Sequence, residues 1–359
     1  MDVDTRLELI TRNTIEVVTR EELREKLESG ERLKGYIGYE PSGIVHVGWL
    51  VWMYKVRDLV EAGVDFTVLE ATWHAFINDK LGGDMRLIKG AARLVRKVME
   101  AVGVPVERVR FVDAEDLAGD REYWGMLVRA SKKVTLARVK RALTIMGRRA
   151  EEAETDFSKL IYPLMQVTDI FYLDLDIALG GMDQRKAHML ARDLAEKTGR
   201  KKPIALHTPI ITGLQGASRM EGLEVDEALA EAKMSKSKPE TAIFVTDSED
   251  NIRFKIRKAY CPARQVEGNP VMEIARYIIF YEPGSRLHVD RPSKYGGPVT
   301  YESYEELERD YVEGRLHPLD LKNAVAEELI RILKPVREVL LRDSEFLKLL
   351  SEVEARVTR

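Results

Sequence analysis

Residues 35–70 read GYIGYEPSGIVHVGWLVWMYKVRDLVEAGVDFTVLE, and the order of patterns in this stretch decides the fold. Gly35 to Tyr39 is a short apolar and aromatic run that reads as a strand. Pro41-Ser42-Gly43 ends it, and the apolar spacing from Trp49 to Val60 predicts a helix closed near Gly63. Val64 to Glu70 reads as the next strand. A charged helix from about Asp84 to Ala101 and a third strand, Val106 to Val112, continue the alternation. Strands and helices in that order predict a parallel sheet with right-handed crossovers.

Upstream, Thr19-Arg20-Glu21-Glu22 is a capping box opening a short helix to about Ser29. Downstream, Glu115 to Ala150 reads as helical and basic, with Arg129, Lys132, Lys133, Arg138, Lys140, Arg141, Arg148 and Arg149 within about six turns. A helix around Ser158 to Phe171 follows. The strand Leu175 to Leu179, a Gly180-Gly181 break, a helix from Asp183 to Lys197 and a short strand, Ile204 to His207, complete this half. Past Lys238 the periodicity is helical apart from the turn-rich Pro283 to Pro298, which puts a domain boundary between about Pro239 and Arg253.

The chain has 359 residues, room for one large core and a smaller second domain. Its 57 Lys and Arg against 60 Asp and Glu give a formal net charge of -3, which argues against nonspecific wrapping of nucleic acid but permits a local basic face. The single cysteine, Cys261, excludes an internal disulfide and a multi-cysteine zinc site. No uninterrupted run of about 18 apolar residues occurs. The charged start MDVDTRLELITRN is unlike a signal peptide, so the expected location is the cytoplasm, away from membranes.

Two short strings point to chemistry. Pro41 to Gly48 delivers His46 and Gly48 to a helix start, and Lys233-Met234-Ser235-Lys236-Ser237-Lys238 is a compact basic, hydroxyl-rich loop. Unpaired N–H groups at a helix start attract an anion, and a Lys/Ser loop can close on it from the other side. Together they suggest a split phosphate site for ATP. Neither a Gly-rich Lys-Ser/Thr phosphate loop nor a Gly-x-Gly-x-x-Gly fingerprint follows the first strand, so the nucleotide is held in another way. Tyr36 lies in the first strand, Tyr162, Gln166 and Asp169 share one helix face, and Gln184 opens a helix after the paired glycines. Phenols, amides and a carboxylate of this kind can fix an ammonium and a phenolic tip. No His/Cys/Asp cluster has metal-ligand spacing, so no protein metal site is assigned.

Tyr36 to Gly43, His46-Val47-Gly48, Tyr162-Pro163-Leu164-Met165-Gln166, Gly180 to Arg185 and Lys233 to Ser237 resemble the tyrosyl-tRNA synthetases of the archaeal/eukaryotic kind, over about Thr11 to Leu340. The resemblance implies a class I enzyme with a Rossmann-like parallel-sheet catalytic domain, 1–240, including the basic helical region at about 115–150. It also implies a mainly helical anticodon-binding domain, 241–359. It implies activation of L-tyrosine by ATP, with Mg2+ carried in by the nucleotide, transfer to tRNA(Tyr), and a homodimer.

The roles it implies are specific. Tyr36 and Asp169 bind the substrate phenol, and Tyr162, Gln166 and Gln184 hold the amino group and its surroundings. Gly38, His46, Gly48, Met234, Ser235 and Lys236 bind ATP, and His46, Gly48, Lys233, Lys236 and Ser237 carry the catalytic step. Arg129, Lys132, Lys133, Arg138, Lys140 and Arg141 contact tRNA, with His317 and Asp320 at the anticodon. The chain departs from the family's pattern at Trp49, where the His-x-Gly-His signature has its second histidine, and at Thr72, where many relatives carry aspartate. Alternatives are a tryptophanyl-tRNA synthetase, which shares the fold and the split ATP site, and a non-catalytic tRNA-binding protein on the same fold.

Overall fold

The structure is a computed structural model that describes residues 1–146, 156–216, 232–235 and 239–357. By internal contacts the chain divides into two compact units. One comprises Met1–Gly43, Trp52–Pro209 and Leu349–Arg359, and the other Ile44–Val51 and Ile210–Lys348. This grouping changes at Pro209 and lends Ile44–Val51 to the second unit, whereas a division at residue 240 follows chain order alone.

The first unit is built on a sheet of β1 (Glu16–Val18), β2 (Lys34–Tyr39), β3 (Asp65–Glu70), β4 (Val109–Asp113), β5 (Ile177–Gly181) and β6 (Ile204–Thr208). The strand order is β1-β6-β5-β2-β3-β4. All neighbours run parallel except β1, which pairs antiparallel with β6. The sheet is therefore mixed, and its antiparallel edge is a correction to the all-parallel expectation. Only three residues long, β1 is too short to carry an alternation signal. β4 starts at Val109 because Val106–Arg108 forms a 3-10 turn after Pro105. β5 runs through Gly180 and Gly181 instead of breaking there, since both pair with β6.

The helix Phe157–Tyr172 supplies the core behind the sheet, burying Tyr162, Leu164, Met165, Val167, Ile170 and Phe171. It packs against Arg121–Ser131, which contributes Tyr123, Met126, Leu127 and Ala130. The basic region is several short helices in place of one long one. Ala114–Ala118 ends at Gly119, Arg121–Ser131 is capped by Asp120, and Leu136–Ala142 is capped by Thr135. Side-chain oxygens of Asp120 and Thr135 bond backbone N–H groups and so restart the helix each time.

In the second unit the helices are Glu249–Lys258, Pro270–Ile274, Tyr304–Glu313 and Pro318–Leu340. The stretch expected to be turns holds β7 (Leu287–Val289) and leads into its antiparallel partner β8 (Val299–Tyr301). Among the described residues no helix is long and apolar enough to cross a membrane.

An ion cluster inside the first unit ties the helix Val3–Thr11 and the loop after it to the helix Leu50–Glu61. Lys55 and Asp58 are both fully buried, with Nζ 2.8 Å from Oδ2. Lys55 also donates to the carbonyl of Leu9, and Arg12 holds Asp58 through Nε at 3.0 Å and Nη2 at 2.5 Å. Burial pushes the Lys55 ammonium down to about 8, against the pull of Asp58. Between that value and the ordinary lysine range the unfolded chain binds more protons, so this group's contribution to stability rises with pH in that window. Asp58→Ala leaves the fully buried Lys55 ammonium without its carboxylate and should cost about 3–5 kcal/mol near neutral pH. Denaturant unfolding at several pH values should show that loss shrinking as pH rises past Lys55's titration. A pH-independent loss would contradict the account.

Candidate active site

The sheet order creates a switch point between β2 and β5. From β2 the chain builds outward through β3 and β4, and β5 lies on the other side of β2, leading to β6. Loops leaving the carboxyl ends of β2 and β5 therefore diverge and leave a crevice, the usual ligand position in such sheets. Tyr36 lies in β2 opposite Ala178 of β5. Gly38 follows it on the exposed face, and Glu40 ends the strand.

Asp169 is almost fully buried, with a phenol and an imidazole beside its two oxygens. The hydroxyl of Tyr123 donates to its Oδ1 at 2.8 Å, and Nε2 of His74 lies 3.1 Å from Oδ2. Burial, reinforced by the Asp169 charge, raises the Tyr36 and Tyr123 phenols far above their ordinary range. Both remain hydrogen-bond donors at any ordinary pH. Tyr36 also accepts a side-chain hydrogen bond from Gln166, which leaves its proton to donate, and beside an accepting carboxylate it matches a guest hydroxyl able to do both.

A second set of groups lies along the same helix. The Tyr162 hydroxyl donates to Glu40 Oε1 at 2.6 Å, and the Asn78 amide donates to both Glu40 oxygens at 2.9 and 3.1 Å. Lys80 sits 3.4 Å from the same carboxylate. Gln166 donates to Gln184 at 3.3 Å, and Gln184 donates to the carbonyl of Ile145 at 3.1 Å. Gly180 has to lack a side chain, because a Cβ there would lie 2.9 Å from both Gln184 Cβ and His188 Cε1. Tyr36, Tyr162, Gln166, Asp169 and Gln184 thus belong to one unit.

Apart from Gly38 in β2, the described nucleotide-binding candidates lie in the second unit. His46 precedes a 3-10 turn, Val47–Trp49, and the α-helix begins at Leu50. His46 bridges to Phe244, flanked by Val47 N–H to Ile243 O at 2.8 Å and Val245 N–H to Val45 O at 3.0 Å. A Cβ on Gly48 would stand 3.0 Å from His46 Nδ1 and 3.5 Å from Ile211 Cβ, so glycine lets the imidazole lie over the turn. Trp49 meets the His46 ring edge-on, centroids 6.1 Å apart. Lys233 bridges to Thr212, and Met234 N–H donates to Ile211 O at 2.8 Å. Ile211 therefore touches both signatures. Half-buried Glu273, its carboxyl raised by desolvation, holds Thr212 by N–H at 2.6 Å and hydroxyl at 3.0 Å. Ser235 is described, whereas Lys236 and Ser237 lie outside the described residues.

The family of class I tRNA synthetases for tryptophan and tyrosine matches residues 28–222 and 224–334. The chain belongs to that family. It is 72% identical over 361 residues to a tyrosine–tRNA ligase of Aeropyrum pernix, covering 100% of this chain and 99% of the relative. A tyrosine–tRNA ligase of Saccharolobus solfataricus is 57% identical over 362 residues, again covering 100% and 99%. The crystal structure of tyrosyl-tRNA synthetase from Aeropyrum pernix superposes with TM-score 0.89 and 66% identity, covering 99% and 100%. That of the Pyrococcus horikoshii synthetase complexed with L-tyrosine gives 0.90 and 45%, covering 98% and 100%. Within the class I family this chain is of the archaeal tyrosyl type.

The remaining candidates of this synthetase chain are dispersed. Exposed Arg129 pairs with Glu122, and Arg138 pairs with Asp193 at 2.8 Å. Lys132, Lys133 and Arg141 are exposed and Lys140 is half-buried. Arg148 and Arg149 lie outside the described residues. His317 caps Pro318–Leu340 by accepting the Leu319 N–H on Nδ1 at 3.1 Å, and half-buried Asp320 sits in the first turn. Thr72 is fully buried and donates to Asp113 at the end of β4, a sheet-end role that explains a hydroxyl at this departure from the family pattern.

Sequence reasoning overlooked Glu40, Asn78, Tyr123 and His74 as members of the polar network. Glu40 stands inside the Tyr36–Gly43 motif at the end of β2, and His74 follows the end of β3, positions where ligands gather and the available signal. Tyr123 lies 46 residues from Asp169 and carries none.

Asp169→Asn and Tyr36→Phe should each lower kcat/KM for tyrosine activation by roughly tenfold to more than a hundredfold, the cost of losing a buried hydrogen-bond partner. Steady-state kinetics with tyrosine varied checks this, and unchanged values in both variants would remove these residues from the pocket.

Proposed function

We propose that this synthetase activates L-tyrosine with ATP and passes the tyrosyl group to tRNA(Tyr). The observation that carries the reading is the pairing of buried Asp169 with Tyr36, whose oxygen already accepts from Gln166 and whose proton is left to donate. A phenol hydroxyl donates to the carboxylate and accepts from the tyrosine at once. An indole N–H can only donate, so tryptophan would leave Tyr36 without an acceptor.

In the first step a tyrosine carboxylate oxygen attacks the α-phosphorus of ATP in line, the bond to pyrophosphate breaks, and tyrosyl-adenylate forms. In the second a hydroxyl of the tRNA's terminal adenosine attacks the activated carbonyl and releases AMP. The protein positions the groups and stabilises charge on the phosphate oxygens. Tyr36 and Asp169 take the phenol. Tyr162, Gln166 and Gln184 take the amino end, and the acidic Glu40 beside Tyr162 supports an ammonium there. Gly38, His46, Gly48, Met234, Ser235 and Lys236 bind the nucleotide, and Lys233, Lys236 and Ser237 act on the departing pyrophosphate. Trp49, edge-on to His46, serves shape. Mg2+ enters as part of the ATP substrate and offsets its charge.

On the RNA side, residues 241–359 act as the anticodon-binding domain and 1–240 as the catalytic one. His317 and Asp320 read the anticodon, while Arg129, Lys132, Lys133, Arg138, Lys140 and Arg141 hold phosphates. The working form is a homodimer in the cytoplasm.

Exchange of labelled pyrophosphate into ATP, run with tyrosine and tryptophan side by side, tests the reading. Tyrosine should drive exchange and tryptophan should not. Exchange driven by tryptophan would replace the substrate, and none with either would leave a non-catalytic tRNA-binding protein.

A further inference from the structure

Glu16, in the short edge strand β1, stands outside every role assigned above, yet its carboxylate is wired to both sides of the Gly180–Gln184 turn. On one side Arg185, the residue after Gln184 and the first of the helix Arg185–Thr198, grips it in a fork. Its Nε lies 2.9 Å from Oε2 and its Nη2 3.0 Å from Oε1. On the other side His207, paired with Glu16 across the β1–β6 edge, places Nδ1 2.7 Å from Oε2. Nε2 of His207 is 3.1 Å from Nδ1 of His188, and the two rings stack with centroids 5.1 Å apart. His188 ends this line at Gly180, where its Cε1 fills the space a side chain would need.

One arrangement of protons closes the line. Glu16 only accepts, so Nδ1 of His207 carries a proton and Nε2 does not. Nε2 must then accept from Nδ1–H of His188. Burial holds both imidazoles below their ordinary range, keeping them neutral and this order intact. The carboxylate itself is held low: burial opposes its charge, but the bonds from Arg185 and His207 prevail.

We propose that Glu16 is a positioning residue for the tyrosine pocket, fixing Gln184 through Arg185 and the Gly180 backbone through the His207–His188 pair. The proposal rests on the reading of Gln184 as a substrate ligand. A carboxylate serving only to fasten β1 to the sheet would leave the tyrosine site alone. Loosening a two-sided clamp should lower tyrosine affinity and spare nucleotide binding, whose His46–Gly48 and Lys233–Ser235 segments lie in the other unit.

Pyrophosphate exchange on the full chain separates these outcomes. Glu16→Ala should raise the KM for tyrosine roughly tenfold, the scale of one lost charge-assisted bond, and leave the KM for ATP within about twofold. Glu16→Gln keeps an acceptor for His207 and should fall between. The 15N spectra of labelled histidines should show both Nδ1–H tautomers in the parent and a tautomer mixture at His207 in Glu16→Ala. Should Glu16→Ala fail to fold, Arg185→Lys, which keeps the charge and loses the fork, should show the same KM split. A tyrosine KM within about twofold of the parent, or an equal rise in both KM values, would overturn the proposal. A parent chain without tyrosine-driven exchange would defeat the proposed function and this inference with it. An active parent with an unchanged variant defeats only the inference.

Discussion

A carboxylate enclosed in a hydrophobic core is costly unless polar hydrogens surround it, and Asp169 imposes that condition on everything near it. Tyr123 and His74 approach its two oxygens from different helices, and burial, reinforced by its charge, holds the Tyr36 and Tyr123 phenols protonated. The core helix Phe157–Tyr172 presents Asp169 and Tyr162 on one face, so the same element both packs the unit and sets its polar centre. The site and the core are therefore one construction.

The sheet supplies the opening that this polar centre needs. β2 and β5 are neighbours in space although about 140 residues separate them, as the Gly35–Ile177 register shows. Their carboxyl ends bring the Tyr36 strand and the Gly180–Gln184 turn together where the strand order reverses. In the second unit a comparable economy joins His46–Gly48 and Lys233–Met234 through Ile211, with Glu273 bracing Thr212 beside it. Trp49 fits that arrangement by packing on the imidazole.

Local signals in the sequence marked the elements well wherever a few residues determine them. The Thr19–Glu22 capping box is present as read, and Asp84 caps the helix Met85–Ala101. Long-range pairing was not legible. β1 has no alternation to detect, its antiparallel partner lies about 190 residues away, and Ile44–Val51 joins a unit formed mainly by later chain. The basic stretch read as one helix because charge periodicity survives the short breaks at Gly119–Asp120 and Lys132–Thr135. In the site, helix spacing placed Tyr162, Gln166 and Asp169 together, whereas Tyr123 and the Glu16–His207–His188 line depend on tertiary packing that no local pattern encodes.

The central claim is that the pocket is built around a hydroxyl, and the undisturbed protein can be asked directly. Calorimetric titration with L-tyrosine and L-phenylalanine, with ATP absent, compares two ligands differing by that one oxygen. Asp169 and Tyr36 would face phenylalanine with two unmet hydrogen bonds, so tyrosine should bind at least about a hundredfold more tightly. Equal affinities would contradict the account.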